Sequence, residues 1–234
     1  MIAVITSTLQ PTQDKSYFNF NDRLEQTKNG LLKLQEFNFQ RIILFDNSDS
    51  LDYSQLNKLL GDFSFVEKYH IRQFQFMNKG LNEALLLLNK LHHLPVDTPL
   101  FKISGRYYPN ENFKLVTPEL LLKYDFIGVG VDFNKRVSAF TTRAFFVKNK
   151  QVLESTLILA IEEMLSYANG IHGIQSFFKS IKNFYKPSIG TEYQISLEQA
   201  FARVLKYKKN YYMLKNINVE GYVAGAAKLE FIKD

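Results

Sequence analysis

Three stretches of this chain begin as apolar runs and stop abruptly in polar residues: IAVITS at 2–7, RIILFDNS at 41–48 and LFKISGRY at 100–107. Between them lie segments with apolar residues at intervals of three and four: LEQTKNGLLKLQEF (24–37), LDYSQLNKLLGDF (51–63) and KGLNEALLLLNKLHHL (79–94). The first pattern reads as buried strands and the second as helices. FSFVEKYHIRQF (63–74) can supply a further short strand. Strand and helix in alternation need crossover connections, so the first half is restricted to an α/β fold with a mostly parallel sheet. PELLLKYDFIGVGVDF (118–133) reads as a helical turn and a strand, and VSAFTTRAFFVKN (137–149) as another strand.

The second half changes character. QVLESTLILAIEEMLSYANG (151–170) reads as a helix with Gly170 as its C-cap. GIQSFFKSIKNFY (173–185) and SLEQAFARVLKYKKN (196–210) read as two more, before the Gly- and Ala-rich INVEGYVAGAAKLEF (217–231). No repeat, low-complexity tract or linker interrupts the 234 residues, and one compact domain is expected. Hydrophobic residues make up 46% of the chain, enough for a sizeable core.

Cysteine is absent, which removes disulfides, thiolate catalysis and cysteine zinc sites. His70, His92, His93 and His172 have no HxxxH spacing to hold a metal. The chain has no GxSxG, Walker lysine loop or GxGxxG. The start, MIAVITSTLQ, lacks a basic region ahead of its apolar run, and no stretch reaches the roughly 20 apolar residues of a membrane span. A cytoplasmic location is expected. The net charge of +6 implies anionic partners. The late stretches KSIKNFYK (179–186) and RVLKYKKNYYMLK (203–215) interleave lysines with aromatic residues. Such stretches can meet nucleic acid or lipid headgroups, or simply be a solvated face.

In open parallel sheets, ligands bind beyond the carboxyl ends of the strands. Thr6, Ser7 and Thr8 lie at the first such end, where hydroxyls can meet a base or ribose. Asp46, Asn47 and Ser48 lie at the second, where the same residues also make an ordinary turn. Asn78, Lys79 and Gly80 open the third helix; backbone N–H groups and Lys79 there suit an anion, while Asn78 also fits a plain cap. Glu83 follows in the first turn, where a carboxylate suits the helix dipole. Lys102, Ser104, Gly105 and Arg106 end the strand at 100–107. Two cations can neutralise a phosphate, arginine with two hydrogen bonds, and Gly105 lets backbone approach a ligand. Lys102, Ser104 and Arg106 share parity, so one face is expected for all three if the strand continues. Thr142 and Arg143 start a strand and can meet an anionic sugar or second phosphate. Glu192 reads as an early-turn acid or as a general base.

In their order these features resemble nucleotide-sugar glycosyltransferases of the GT-A fold, over roughly residues 1–150. IAVITSTLQP matches the opening strand, NDRLEQTKNGLLKL a first helix opened by an arginine (Arg23), FDNS the second strand end, and NKGLNEALLLL the asparagine–glycine helix start. Where that family has Asp-x-Asp for a divalent metal and the donor diphosphate, this chain has KISGRY. It looks like a bacterial surface-polysaccharide branch, of lipopolysaccharide or capsule type, without the metal motif.

The resemblance implies a GT-A-like sheet flanked by helices: residues 1–150 as the nucleotide-binding part, and residues 151–234 as a helical part on the acceptor side. It implies transfer from a nucleotide-sugar donor to a glycan or lipid-linked acceptor. Lys102, Ser104 and Arg106 would take the place of a Mn²⁺ or Mg²⁺ ion. Asp132 or Glu192 would act as base, and the basic tail would rest on a membrane face. Nucleic acid is not an expected partner. The alternatives are a non-catalytic nucleotide or nucleic-acid binding module, a degenerate scaffold, and a nucleotidyltransferase that makes activated sugars.

Overall fold

A computed structural model describes the chain except residues 11–17, 73, 75, 77, 134, 136–137, 170–172, 175–176, 179–180, 182–194, 223–230 and 234. Its centre is β1 (Ile2–Ser7), buried along its whole length, with β2 (Arg41–Asp46) parallel on one side and β4 (Leu100–Ser104) parallel on the other. β3 (Val66–His70) extends the sheet beyond β2. Beyond β4 lie β9 (Ala144–Val147), β6 (Phe126–Gly128) and β10 (Tyr211–Met213), so the full order is β10-β6-β9-β4-β1-β2-β3. β9 runs antiparallel between β4 and β6.

Strand parity sorts the side chains into two layers. Ala3, Ile5, Leu44, Phe101 and Ile103 pack with α1 (Phe20–Gln35) and α2 (Tyr53–Leu59). Ile2, Val4, Ile43, Phe45 and Leu100 pack with α3 (Lys79–Lys90), α5 (Lys150–Asn169) and α6 (Leu197–Lys208). The short α4 (Pro118–Lys123) lies between β5 (Tyr107–Pro109) and β6 in the chain. The helix starts are written locally. Asn19 with Asp22, Asp52 with Gln55 and Ser196 with Gln199 form reciprocal capping boxes, and Asn78 caps α3 by accepting from the Leu81 amide.

The mostly parallel sheet flanked by helices matches the expected class. Four details differ. Residues 137–149 are two strands, β8 (Ala139–Phe140) and β9, because β8 turns away to pair with β7 (Gly130–Val131). The helix expected at 196–210 ends at Lys208, Lys209 turns left-handed at φ 58, and β10 follows, so the basic stretch 203–215 is divided between a helix and a strand. The C-terminal part is not purely helical, since β11 (Val219–Tyr222) pairs with β12 (Phe231–Lys233) and with β5. The strand at 100–107 stops at Ser104, and Gly105 and Arg106 form a turn into β5. The expected cap at Gly170 and most of the helix at 173–185 lie outside the described residues.

Candidate functional site

Buried polar side chains concentrate where β1, β2 and β4 end: Thr6, Ser7, Asp46, Asn47, Ser48 and Lys102 are all below a tenth exposed. Buried polar groups must find partners, and these find one another. Asp46 is fully buried. Its Oδ2 accepts from the Ser7 hydroxyl (2.5 Å) and the Leu9 amide (3.0 Å), and its Oδ1 from the Ser48 amide (2.8 Å). Thr8 donates to Asn47 Oδ1 at 2.6 Å, and the Gln10 amide to Ser48 Oγ at 2.9 Å. Asp46, Asn47 and Ser48 therefore build the loop after β1. The Asp46 carboxylate is engaged by its own chain and does not face a ribose, as the sequence had suggested it could.

Lys102 follows the same logic on the other face. It is 1% exposed, and an ammonium buried in an apolar layer needs a counter-charge. Its Nζ lies 2.5 Å from Glu83 Oε1, 2.5 Å from the Thr142 carbonyl and 3.3 Å from Ser104 Oγ. Thr6 Oγ1 donates to the same Glu83 oxygen at 2.7 Å. Burial pushes the Glu83 carboxyl up, but the charge and hydrogen bond of Lys102, the Thr6 hydroxyl and the charge of Arg106 outweigh it. The group is held below the usual carboxylate range. Lys102 is thus spent on Glu83 and is not a free cation for a phosphate. Thr142 continues the chain of contacts, donating to Glu198 Oε1 at 2.9 Å.

Arg106 takes a different direction from Lys102 and Ser104, because the strand has ended. Its Nη1 donates to the Tyr222 carbonyl at 2.9 Å, and its guanidinium lies 5.5 Å from the centre of the Tyr107 ring. The Arg143 guanidinium lies 5.8 Å from the same ring. Arg23 arrives from α1, on the buried stripe that it shares with Thr27 and Leu31. Thr27 donates to the Gly105 carbonyl at 3.2 Å, which sets α1 against the turn and Arg23 near Arg106. Burial, reinforced by the charge of Arg106, brings the Arg23 guanidinium down to about 10, against an opposing pull from Asp46. Burial also lowers Arg106; Tyr107 and Glu83 oppose the shift and Arg143 adds to it. Three cations thus crowd a half-buried corner in which burial disfavours the charge of Arg23 and Arg106, and such a corner favours the entry of an anion.

The glycines mark close approaches of the chain to itself. A Cβ at Gly105 would stand 3.2 Å from Ser7 Cβ and Thr27 Oγ1, so this glycine admits α1 and β1, not a ligand. A Cβ at Gly80 would stand 2.7 Å from Leu197 Cβ, so Gly80 brings α3 against α6. A Cβ at Gly221 would collide with the Arg106 carbonyl, so β11 lies directly on the arginine turn. Asn78 caps α3 and donates to the Ile195 carbonyl, and Lys79 is the helix's first residue. Asp132 does not fit a base. It sits on an exposed turn at φ 49, paired with Lys135 at 2.7 Å. Glu192 lies outside the described residues. The sequence reading gave Glu83 only a helix-dipole role and assigned none to Tyr107 or Glu198. A lysine inside the apolar run FKI was the available signal, since it requires a buried acid nearby.

A divalent ion suits this rim poorly. The β4 end offers Lys102, Ser104 and Arg106, and among the described residues no group of three or more His, Asp or Glu could hold a metal. No helix among the described residues is long and apolar enough to cross a membrane.

No family model matches the chain, and no curated protein matches it. Solved structures do. The galactosyltransferase LgtC, in complex with donor and acceptor sugar analogues, superposes at a TM-score of 0.52 with 9% identity, over 97% of this chain and 88% of that one. An active-site mutant of LgtC gives the same TM-score at 8% identity, over 97% and 89%. A protein described as a glucose-1-phosphate thymidylyltransferase from Bacillus anthracis, in complex with sucrose, gives 0.51 at 8% identity, over 99% and 88%. At such identities the likeness lies in the path of the chain. The fold is that of GT-A-type, nucleotide-sugar transferases.

Proposed function

We propose that this chain is a glycosyltransferase that moves a sugar from a nucleotide-sugar donor to an acceptor hydroxyl, without a divalent metal. The observation that carries the reading is the meeting of Arg23, Arg106 and Arg143 around Tyr107 at the carboxyl ends of β1 and β4. Fixed guanidinium groups in a poorly solvated corner are suited to the two phosphates of a nucleoside diphosphate. They also meet the charge that grows on the leaving diphosphate as the bond to the sugar breaks. The loop of Ser7–Gln10 and Asp46–Ser48 forms the neighbouring wall, with Thr8 half-buried at its surface. The fold it shares with LgtC supports the same reading.

The acceptor in this reading is a glycan or lipid-linked sugar of surface-polysaccharide synthesis, met at the cytoplasmic membrane face. Support comes from Tyr207, 83% exposed, flanked by Lys206, Lys208 and Lys209. The protein should co-sediment with phosphatidylcholine vesicles that contain phosphatidylglycerol, and not with phosphatidylcholine alone. Equal recovery with both, or with neither, removes the membrane contact.

The test of the main reading is a thermal-shift panel of UDP-, GDP-, CMP- and dTDP-sugars, with and without Mn²⁺, followed by product analysis with the donor that shifts most. A transferase raises its Tm without metal and releases a nucleoside diphosphate or monophosphate when an acceptor is added. The thymidylyltransferase-like fold keeps a nucleotidyltransferase as the second reading. That enzyme would instead form nucleoside triphosphate from the donor and pyrophosphate. Salt-sensitive binding of DNA or RNA with no donor response would overturn both.

A further inference from the structure

Among the described residues, three carboxylates stand at this rim, and their surroundings differ. Asp46 is fully buried and holds three donors of its own chain. Glu83 is ion-paired with Lys102. Glu198, on the first turn of α6, is only half-buried and accepts one hydrogen bond, from the Thr142 hydroxyl, through Oε1. No described cation pairs with it. Of the three, Glu198 is the one that is half-buried and, among the described residues, has neither a cation partner nor a second hydrogen bond.

Its position relative to the arginines gives this a direction. Thr142 and Arg143 lie in the short bend between β8 and β9. Thr142 reaches Glu198 on the α6 side, while Arg143 reaches Tyr107 on the α1 side. Ser104 lies at the boundary, its amide donating to the Arg143 carbonyl and its hydroxyl within 3.3 Å of Lys102 Nζ. Apart from the Lys102–Glu83 pair and the enclosed Asp46, the rim therefore carries arginines on the α1 side and the Glu198 carboxylate on the α6 side. A sugar diphosphate lying across the ends of β1 and β4 would put its phosphates on the arginines and its anomeric carbon near Ser104.

We infer that Glu198 is the base that receives the acceptor's proton, an assignment that rests on the glycosyltransferase reading above. The acceptor O–H bond breaks and its proton passes to the Glu198 carboxylate. The acceptor oxygen bonds to the anomeric carbon. The bond from that carbon to the phosphate oxygen breaks, and its electron pair leaves with the nucleoside diphosphate. Attack from the side opposite the leaving group inverts the anomeric configuration. Thr142 is the positioning residue, since its hydroxyl fixes one carboxylate oxygen and leaves the other for the acceptor.

The experiment compares wild type with Glu198→Gln and Glu198→Asp, using the donor that gives the largest thermal shift. Gln keeps an oxygen for Thr142, so the free protein's Tm and the donor-induced shift should stay as in wild type. The donor KM should stay within about threefold, and kcat for transfer should fall by about 100-fold or more. Asp should restore part of that loss, and the wild-type product should have inverted configuration. Transfer by Glu198→Gln within about threefold of wild type overturns the assignment, as does a product with retained configuration. A wild type that binds and turns over no donor overturns the functional reading, and the assignment with it.

Discussion

Replacing Lys102 by methionine should cost the fold about 3–5 kcal/mol, measured by urea unfolding at neutral pH. The expected loss comes from the partner left behind. Methionine fills the space of the lysine stem within an apolar layer and adjoins Phe145 as the ammonium now does. What it removes is the counter-charge of Glu83, whose only other described partner is the Thr6 hydroxyl. An ionised carboxylate at 22% side-chain exposure then has to bear its desolvation or take up a proton, and both cost free energy at pH 7. The double variant Lys102→Met with Glu83→Leu should recover most of the stability, because no charge is left to satisfy. A single variant as stable as wild type would show that the pair contributes nothing.

The same pair fixes the sign of an acid effect. The folded-state pKa of Glu83 lies below its ordinary value of 4.5. Its contribution is therefore present above about pH 4.5 and is lost as the pH falls through the lower folded value. Below that point wild type carries a buried ammonium with no carboxylate, while Lys102→Met carries a neutral acid. The gap in stability between them should shrink on acidification. A gap that stays constant from pH 7 to pH 4 would mean that the Glu83 charge is not its source.

Half of this arrangement was legible in the sequence, for physical reasons. β1 and β2 are largely apolar runs and β4 is one broken only by Lys102, and between β1, β2 and β3 crossover helices intervene; local pattern suffices to pair such strands in parallel. The rule that ligands meet strand ends then located the rim. A strand within 137–149 was legible but its antiparallel direction was not, nor was the small β5-β11-β12 sheet, because strands of three or four residues carry little periodicity and their partners lie far along the chain. Lys102 and Ser104 share a face as their spacing requires, but Arg106 escapes it because the strand stops one residue before Gly105. Glu83 was passed over because a carboxylate in a first helical turn already has an explanation in the helix dipole. Its real partner is 19 residues away, and only the oddity of a lysine between Phe101 and Ile103 pointed to it.

Donor affinity should fall by about 5- to 150-fold in Arg106→Ala, the loss of a charged hydrogen-bond partner worth roughly 1–3 kcal/mol. Isothermal titration with the best donor, or with its nucleoside diphosphate, measures it. The informative companion is Arg23→Met, where two effects have opposite sign. A guanidinium brought down to about 10 from an ordinary 12.5 carries roughly 3 kcal/mol of preference for losing its charge. That penalty is present at every pH below about 10, so at neutral pH the folded protein bears it in full. Methionine removes it, and Asp46 keeps the Ser7, Leu9 and Ser48 donors that hold it. The Tm of the free Arg23→Met protein should therefore stay level or rise, while its donor-induced shift shrinks. A structural arginine would show the reverse, a lower Tm with donor binding intact. The crossed result is the one expected of cations gathered for a ligand, because a corner in which burial disfavours the charge of Arg23 and Arg106 is stabilised by the anion that enters it.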